Sequence, residues 1–445
     1  MAETTPEQIV TEAPVVAQPP MPPVATKGRQ AAVLFIFFTA LMDVTALGLM
    51  IPVLPNLIKH FVGAGLTEAA ATARAADVTR YFTLTWGVMQ FFVGPVLGMV
   101  SDRFGRRPVL LISIFGLGVD YLFMALAPSL WWLFLGRIIN GATSASFSTA
   151  NAYVADITAP QDRAKAFGLM GATFGIGFIL GPALGGILGQ IDLRLPFFVS
   201  AGLALCNWLY GFFVLPESLP KDRRSPALNW TRANPIAAFG LLVERPTLLG
   251  LSLVMVLFQL AHNVFPSIFI LFVGHRWGWG PGIAGSTMMV TGVLSLLVQM
   301  FVVQRVVKRV GERGALLAGL FFAASAFLVY GFAPTWQVFM CAAPLGALGG
   351  LIGPGAQSLM SRRVPANQQG RLQGVNSAFM GLCSIAGPLI YLSALGFSVR
   401  TETTLHLPGL PILIAAGFCA AAFVAAWFLA YPVADADAAP QASPS

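Results

Sequence analysis

Apolar runs of twenty or more residues recur along this chain, each closed by a short polar stretch. Runs long enough to cross a hydrocarbon layer of roughly 30 Å fall near residues 31–58, 80–101, 107–127, 130–155, 164–190 and 195–214, and six more near 246–273, 281–308, 313–333, 336–361, 370–394 and 408–431. A backbone in lipid must satisfy its own hydrogen bonds, so each run is predicted to be a helix. The pattern describes an all-α polytopic membrane protein with 12 transmembrane helices in two six-helix halves. Residues 31–214 form the first half, 215–245 a linker rich in Pro, Arg and Asp, and 246–431 the second half. Residues 1–30, rich in Pro, Ala and Thr without amphipathic period, are expected to be a disordered tail, and 432–445 a short second tail. No cleavable signal is legible, so the first span is expected to direct insertion.

An internal repeat supports the division. A shift of 206 residues lays Gly105 on Gly311, Arg107 on Arg313, Pro128 on Pro334, Gly168 on Gly374, and Gly181-Pro182 on Gly387-Pro388. One constant offset over so long a stretch indicates duplication, and parallel halves of this kind place a substrate site between them near the bilayer midplane.

Composition excludes a soluble globule: 56% of the 445 residues are hydrophobic and 10% charged, with mean hydropathy +0.76. The net charge of +8 is no sign of nucleic acid, because its distribution is topological. With alternate loops on opposite sides, 19 of the 26 basic residues fall on one side with both termini, six on the other, and Arg137 within a span. That bias places the richer side in the cytoplasm. Cys206, Cys341, Cys383 and Cys419 lie in apolar spans without paired spacing and are expected to be free, packed thiols.

The chemistry sits where polar residues interrupt the apolar pattern. The loop GMVSDRFGRRP carries Gly98, Asp102, Arg103, Gly105, Arg106 and Arg107 between spans 2 and 3. Its glycines permit a tight turn and its arginines hold it on the cytoplasmic side. Asp43 lies about 12 residues into the first span, roughly 18 Å deep, where a central Asp costs about 2.5 to 3.5 kcal/mol to insert. It therefore needs a wet cavity or a partner, and is a candidate proton carrier. Asp120 and Arg137 flank the turn at Pro128 at similar depth and are expected to pair, as a structural or a switchable ion pair. Arg137 heads a stripe of Asn140, Ser144, Ser148 and Asn151 that is expected to face a cavity, with Phe147 beside it. In span 5, Gly177, Gly181, Gly185 and Gly186 surround Pro182, which suits close packing and a hinge. In the second half Gln259, His262, Asn263, Thr291 and Ser295 are further candidate cavity residues, and His262 could titrate. No nucleophile–base set, phosphate loop or metal cluster is present, so neither enzyme activity nor a cofactor is expected.

The pattern G-x-x-x-D-R-x-G-R-R resembles the loop between helices 2 and 3 of the major facilitator superfamily, where it gates movement between the halves. GIGFILGPALGG resembles the fifth-helix signature of antiporters in that superfamily. Together with LMDVTALGLMIPVLP, GLGVDYLF, FLGRIINGAT and HRWGW these stretches resemble the tetracycline-efflux group of drug:proton antiporters. The resemblance implies coupling roles for Asp43, Asp120 and Arg137 and a gating role for Asp102. It implies small-molecule, proton and lipid-bilayer partners, a plasma-membrane location with both termini cytoplasmic, and function as a monomer. Two positions depart from it: Ser295 stands where those pumps carry a coupling histidine, and Ala323 where they carry an acid. A proton symporter or facilitator for a nutrient, or a non-transporting receptor, fits the same spans.

Overall fold

The computed structural model describes residues 26–143, 146–158, 162–226, 239–365 and 368–431. Of the expected tails, 1–25 and 432–445 lie outside the described residues, as does 227–238 of the linker. Residues 26–30 already belong to the first helix, Thr26–Met50. Among the described residues there are helices and turns and no strand.

The twelve spans are all found, several of them broken where the sequence places proline or glycine. Span 1 is Thr26–Met50 followed, after a turn at Pro52, by Leu54–Val62. Span 2 is a 37-residue helix, Glu68–Phe104, and begins twelve residues before the expected boundary. The apolar run starts near 80, but Glu68 to Ala76 is alanine-rich and therefore helical by propensity, and the Thr67 hydroxyl caps it by accepting from Ala70 N at 3.3 Å. Spans 3 (Arg106–Leu126), 5 (Arg163–Ile191) and 6 (Leu195–Val214) are continuous. Span 4 comprises Leu130–Thr143 and Ser146–Ile157.

In the second half, span 7 is divided into Leu249–His262 and Val264–Trp277. Pro266 has no N–H for the carbonyl four residues earlier, which breaks the ladder there. The Asn263 amide bridges the break by donating to Gln259 O at 2.8 Å. Span 8, Pro281–Leu297, passes through a π turn at Val298–Val302 into the helix Val303–Phe332, whose later part is span 9. Span 10 is Trp336–Cys341, Ala343–Leu348 and Ile352–Ser361; spans 11 and 12 are Gln369–Arg400 and Leu410–Leu429. Among the described residues ten helical stretches are long and apolar enough to cross a membrane, the 52-residue Pro281–Phe332 holding two spans and the divided span 4 falling outside the set.

The repeat is visible in the backbone. Gly105 ends span 2 at φ 111°, and Gly311, 206 positions on, separates spans 8 and 9 at φ 73°. Both lie in the region that L side chains rarely adopt, so glycine is the residue that permits each of these two turns. The cysteines are free; Cys383 and Cys419 are buried, whereas Cys206 and Cys341 are exposed on helix surfaces instead of packed as expected.

The halves meet on the side away from the basic loops. There the Arg80 guanidinium donates to Ser393 Oγ at 2.8 Å, Asp77 pairs with Arg400, and Gly186 of span 5 packs on Pro281 and Gly285 of span 8. Nearer the middle, Gly87 meets Ile385, and Gly381 meets Phe91. Towards the basic loops, Gly94 and Gly98 of span 2, Gly168, Gly171 and Gly175 of span 5 and Gly370 of span 11 face open space. The described halves are thus in contact on the far side.

Candidate substrate and proton pathway

Spans 2, 3 and 4 enclose a polar chain in the first half. Trp86 Nε1 donates to Asn140 Oδ1 at 2.7 Å, and Asn140 Nδ2 donates to Asp120 Oδ2 at 2.7 Å. Asp120 is fully buried and Asn140 nearly so. Gly136, one helical turn before Asn140, makes room for the carboxylate: a Cβ there would lie 2.7 Å from Asp120 Oδ1. Arg137 lies over the Trp86 ring, 5.8 Å from its centroid, a cation–π distance.

The expected Asp120–Arg137 pair is therefore not a direct contact: Asn140 donates to Oδ2 of the carboxylate, and Oδ1 is buried without a hydrogen-bond partner. Asn140, expected on a cavity face, is instead the link between spans 2, 3 and 4. An uncompensated buried carboxylate is costly, which gives the sequence a reason to place an amide there.

Asp43 is half-buried on span 1. Its helix is fixed on two sides. Thr39 donates to Asn207 Oδ1 at 3.1 Å and Ser200 to Ala46 O at 3.1 Å, joining span 1 to span 6. On span 5, Gly177, Gly181 and Gly185 approach Val44, Gly48 and Leu49 so closely that a Cβ on Gly48 would fall 2.8 Å from Gly181 Cα. Gly186 lies on another face and meets span 8, 2.6 Å from Pro281 O for a built Cβ. Pro182 sits inside an unbroken 29-residue helix. The fifth span is thus clamped between its own half and the other.

The loop motif organises a charge cluster on the basic side. Arg106 reaches Asp102 at 2.5 Å and Asp156 of span 4 at 3.1 Å. Arg107 donates to Phe212 O at 2.6 Å. Glu217, just after span 6, accepts from the backbone N–H of Arg106 at 2.9 Å and of Arg107 at 3.4 Å, where a helix N-terminus favours an anion. Arg224 faces Glu217 at 3.5 Å. Asp102 stays mostly exposed, Arg103 lies against Phe104 at 5.4 Å, and Gly98 faces open space. Sequence reasoning missed Asp156 and Glu217. The repeat held a signal for the first, since Arg106 and Asp156 map onto Glu312 and Arg362 with charges exchanged.

The second-half candidates divide. His262 is exposed on the interrupted span 7, its ring 5.7 Å from Phe258, and Gln259 is half-buried. Asn263 packs on Gly387 of span 11. Thr291 returns its hydroxyl to Thr287 O at 3.0 Å and Ser295 to Thr291 O at 2.9 Å, on their own helix. Ala323 is buried in span 9. In the first half Ser148 is exposed and Asn151 half-buried; Ser144 and the side chain of Phe147 lie outside the described residues. No group of three metal-ligating side chains occurs among the described residues.

Two repeated six-helix halves around a central seam, with the enclosed acids in one half only, define a membrane transporter. The Major Facilitator Superfamily model matches residues 33–388 and again 251–444. Tetracycline resistance protein, class C, of Escherichia coli is 38% identical over 371 residues, spanning 83% of this chain and 91% of that protein. The class B protein of the same species is 33% identical over 356 residues, spanning 79% and 85%. The crystal structure of a D-xylose-proton symporter aligns with a TM-score of 0.71 over 91% of this chain and 98% of that one; at 17% identity it speaks for the fold alone. This chain belongs to the Major Facilitator Superfamily.

Proposed function

We propose that the protein is a proton-coupled antiporter that exports an amphiphilic drug or metabolite by alternating access. The observation that carries this reading is the pair of acids within the spans of the first half: Asp120 buried beside Asn140, and Asp43 half-buried on span 1. Such a pair lets one half bind a proton and reposition, while the other half supplies mainly shape. The names of its relatives, tetracycline resistance proteins, support efflux as the direction.

Asp43, half-buried on span 1, exchanges the proton; Asp120 and Arg137 hold the field in which it does so. A protonated Asp43 lowers the cost of closing the cavity, and an ionised one attracts a cationic substrate. His262, Gln259, Ser148 and Asn151 contribute polar contacts to the cavity. Asp102 and the loop arginines form the gate on the basic side, which is assigned to the cytoplasm together with both termini. The protein acts as a monomer in the inner (plasma) membrane.

With Ser295 and Ala323 in place of ionisable groups, apolar or cationic drugs are preferred over tetracycline. Purified protein in proteoliposomes should accumulate a lipophilic cationic dye only while a pH gradient is imposed. Uptake that ignores the gradient would contradict the coupling, and strong tetracycline transport would contradict the assigned preference.

A further inference from the structure

On the basic side of the second half, an open cavity of about 430 Å³ is lined by Gly311, Glu312, Arg313, Arg362, Val307, Val310 and Leu359. The first half shows what the equivalent place holds. Above Gly105 sits the Glu217 carboxylate, close enough to clash with any Cβ built there, with Arg224 beside it. Above Gly311, the repeat partner of Gly105, there is open space within 4 Å.

We propose that this cavity binds the phosphate of an anionic phospholipid headgroup, in the place that Glu217 fills in the first half. Arg313 is poised for it. Its Nη2 donates to Trp427 O at 2.8 Å and its guanidinium lies 4.8 Å from the Tyr431 ring centroid, while its Nε is buried without a hydrogen-bond partner. The cavity's one acid, Glu312, is already engaged by Arg362 at 2.9 Å and Ser358 at 2.5 Å. Lys308, Arg309 and Arg305 are exposed on the preceding turns and add positive potential. The apolar part of the lining, Val307, Val310 and Leu359, suits a glycerol and acyl stem better than a free ion. Basic pockets at this level of a membrane protein attract anionic headgroups, each Lys or Arg adding about fivefold in affinity. The inference rests on the membrane fold and does not depend on the transported substrate.

Native mass spectrometry of the full chain in nonionic detergent, titrated with phosphatidylglycerol or with phosphatidylcholine, tests it. One phosphatidylglycerol should be retained in preference to phosphatidylcholine and resist millimolar inorganic phosphate. Arg313→Gln should weaken its retention about fivefold. Because Arg313 also ties span 9 to span 12, Val310→Glu is the second variant: it leaves those contacts in place, puts a carboxylate into the cavity as Glu217 does, and should abolish the retained lipid. Equal retention of both lipids, retention unchanged in Val310→Glu, or displacement by inorganic phosphate that alone stabilises the protein equally well would each overturn the proposal.

Discussion

Arg106 Nε lies 3.1 Å from Asp156 Oδ2, and 206 residues further on Arg362 Nη2 lies 2.9 Å from Glu312 Oε1. The positions correspond, and the charges are exchanged. A contact that keeps its geometry through a sign reversal works by tying the start of one span to the end of the next, whichever partner is the acid.

Reversing one member should therefore be harmful and reversing both tolerated. Arg362→Glu is expected to lower stability by about 1 kcal/mol, as a partly exposed pair allows, and addition of Glu312→Arg should recover most of it. Thermal unfolding in detergent reads the difference; no recovery in the double variant would mean that the site depends on the sign.

Asn140 is the single direct hydrogen-bond donor to Asp120 among the described residues. Asn140→Ala leaves a buried carboxylate with its desolvation uncompensated, and should destabilise by about 1–3 kcal/mol and release Trp86. Quenching and shift of tryptophan fluorescence, in a variant whose only tryptophan is Trp86, would follow the release. Unchanged stability would show that Arg137 satisfies Asp120 unaided.

The closed side is held by Asp77–Arg400 and Arg80–Ser393 across the two halves. Asp77→Asn is expected to favour the state open on that side. In a background without the exposed Cys206 and Cys341, a cysteine at Ser393 should then react several-fold faster with a membrane-impermeant thiol reagent. Equal labelling with and without Asp77→Asn would exclude the ion pair as a latch.

Two glycines of span 5 should respond oppositely. A Cβ on Gly181 would lie 2.5 Å from Gly48 Cα, whereas Gly168 faces open space. Gly181→Ala should cost about 1–3 kcal/mol by overpacking backbone against backbone. Gly168→Ala should be neutral or slightly stabilising through helix propensity. Paired melting curves decide it, and equal effects would deny the close contact of spans 1 and 5.

The twelve spans were legible because lipid imposes one rule, a long apolar helix, and the two halves because a glycine needed at positive φ recurs as Gly105 and Gly311. Breaks inside spans 7 and 10 were less so, since Pro266 and Pro344 mark a weakness without saying whether a helix bends or divides. The early start of span 2 was hidden because Glu68 to Ala76 is helical by propensity and not by hydrophobicity. At the site, the depth of Asp120 and Arg137 could be read from their distance to Pro128. Their separation by Asn140 could not, because it depends on the rotation of three helices about their axes. Glu217 was equally hidden, lying more than a hundred residues from the N–H groups it caps.

Asp43 is the acid assigned to exchange the proton, and Asp43→Asn in proteoliposomes separates that role from a structural one. Substrate accumulation driven by an imposed pH gradient and gradient-free counterflow of the same substrate would be measured side by side. The variant should lose essentially all gradient-driven accumulation and retain measurable counterflow, because binding and rocking survive while the proton no longer has a site. Accumulation against a concentration gradient at the normal rate would contradict the account and move the coupling to Asp120.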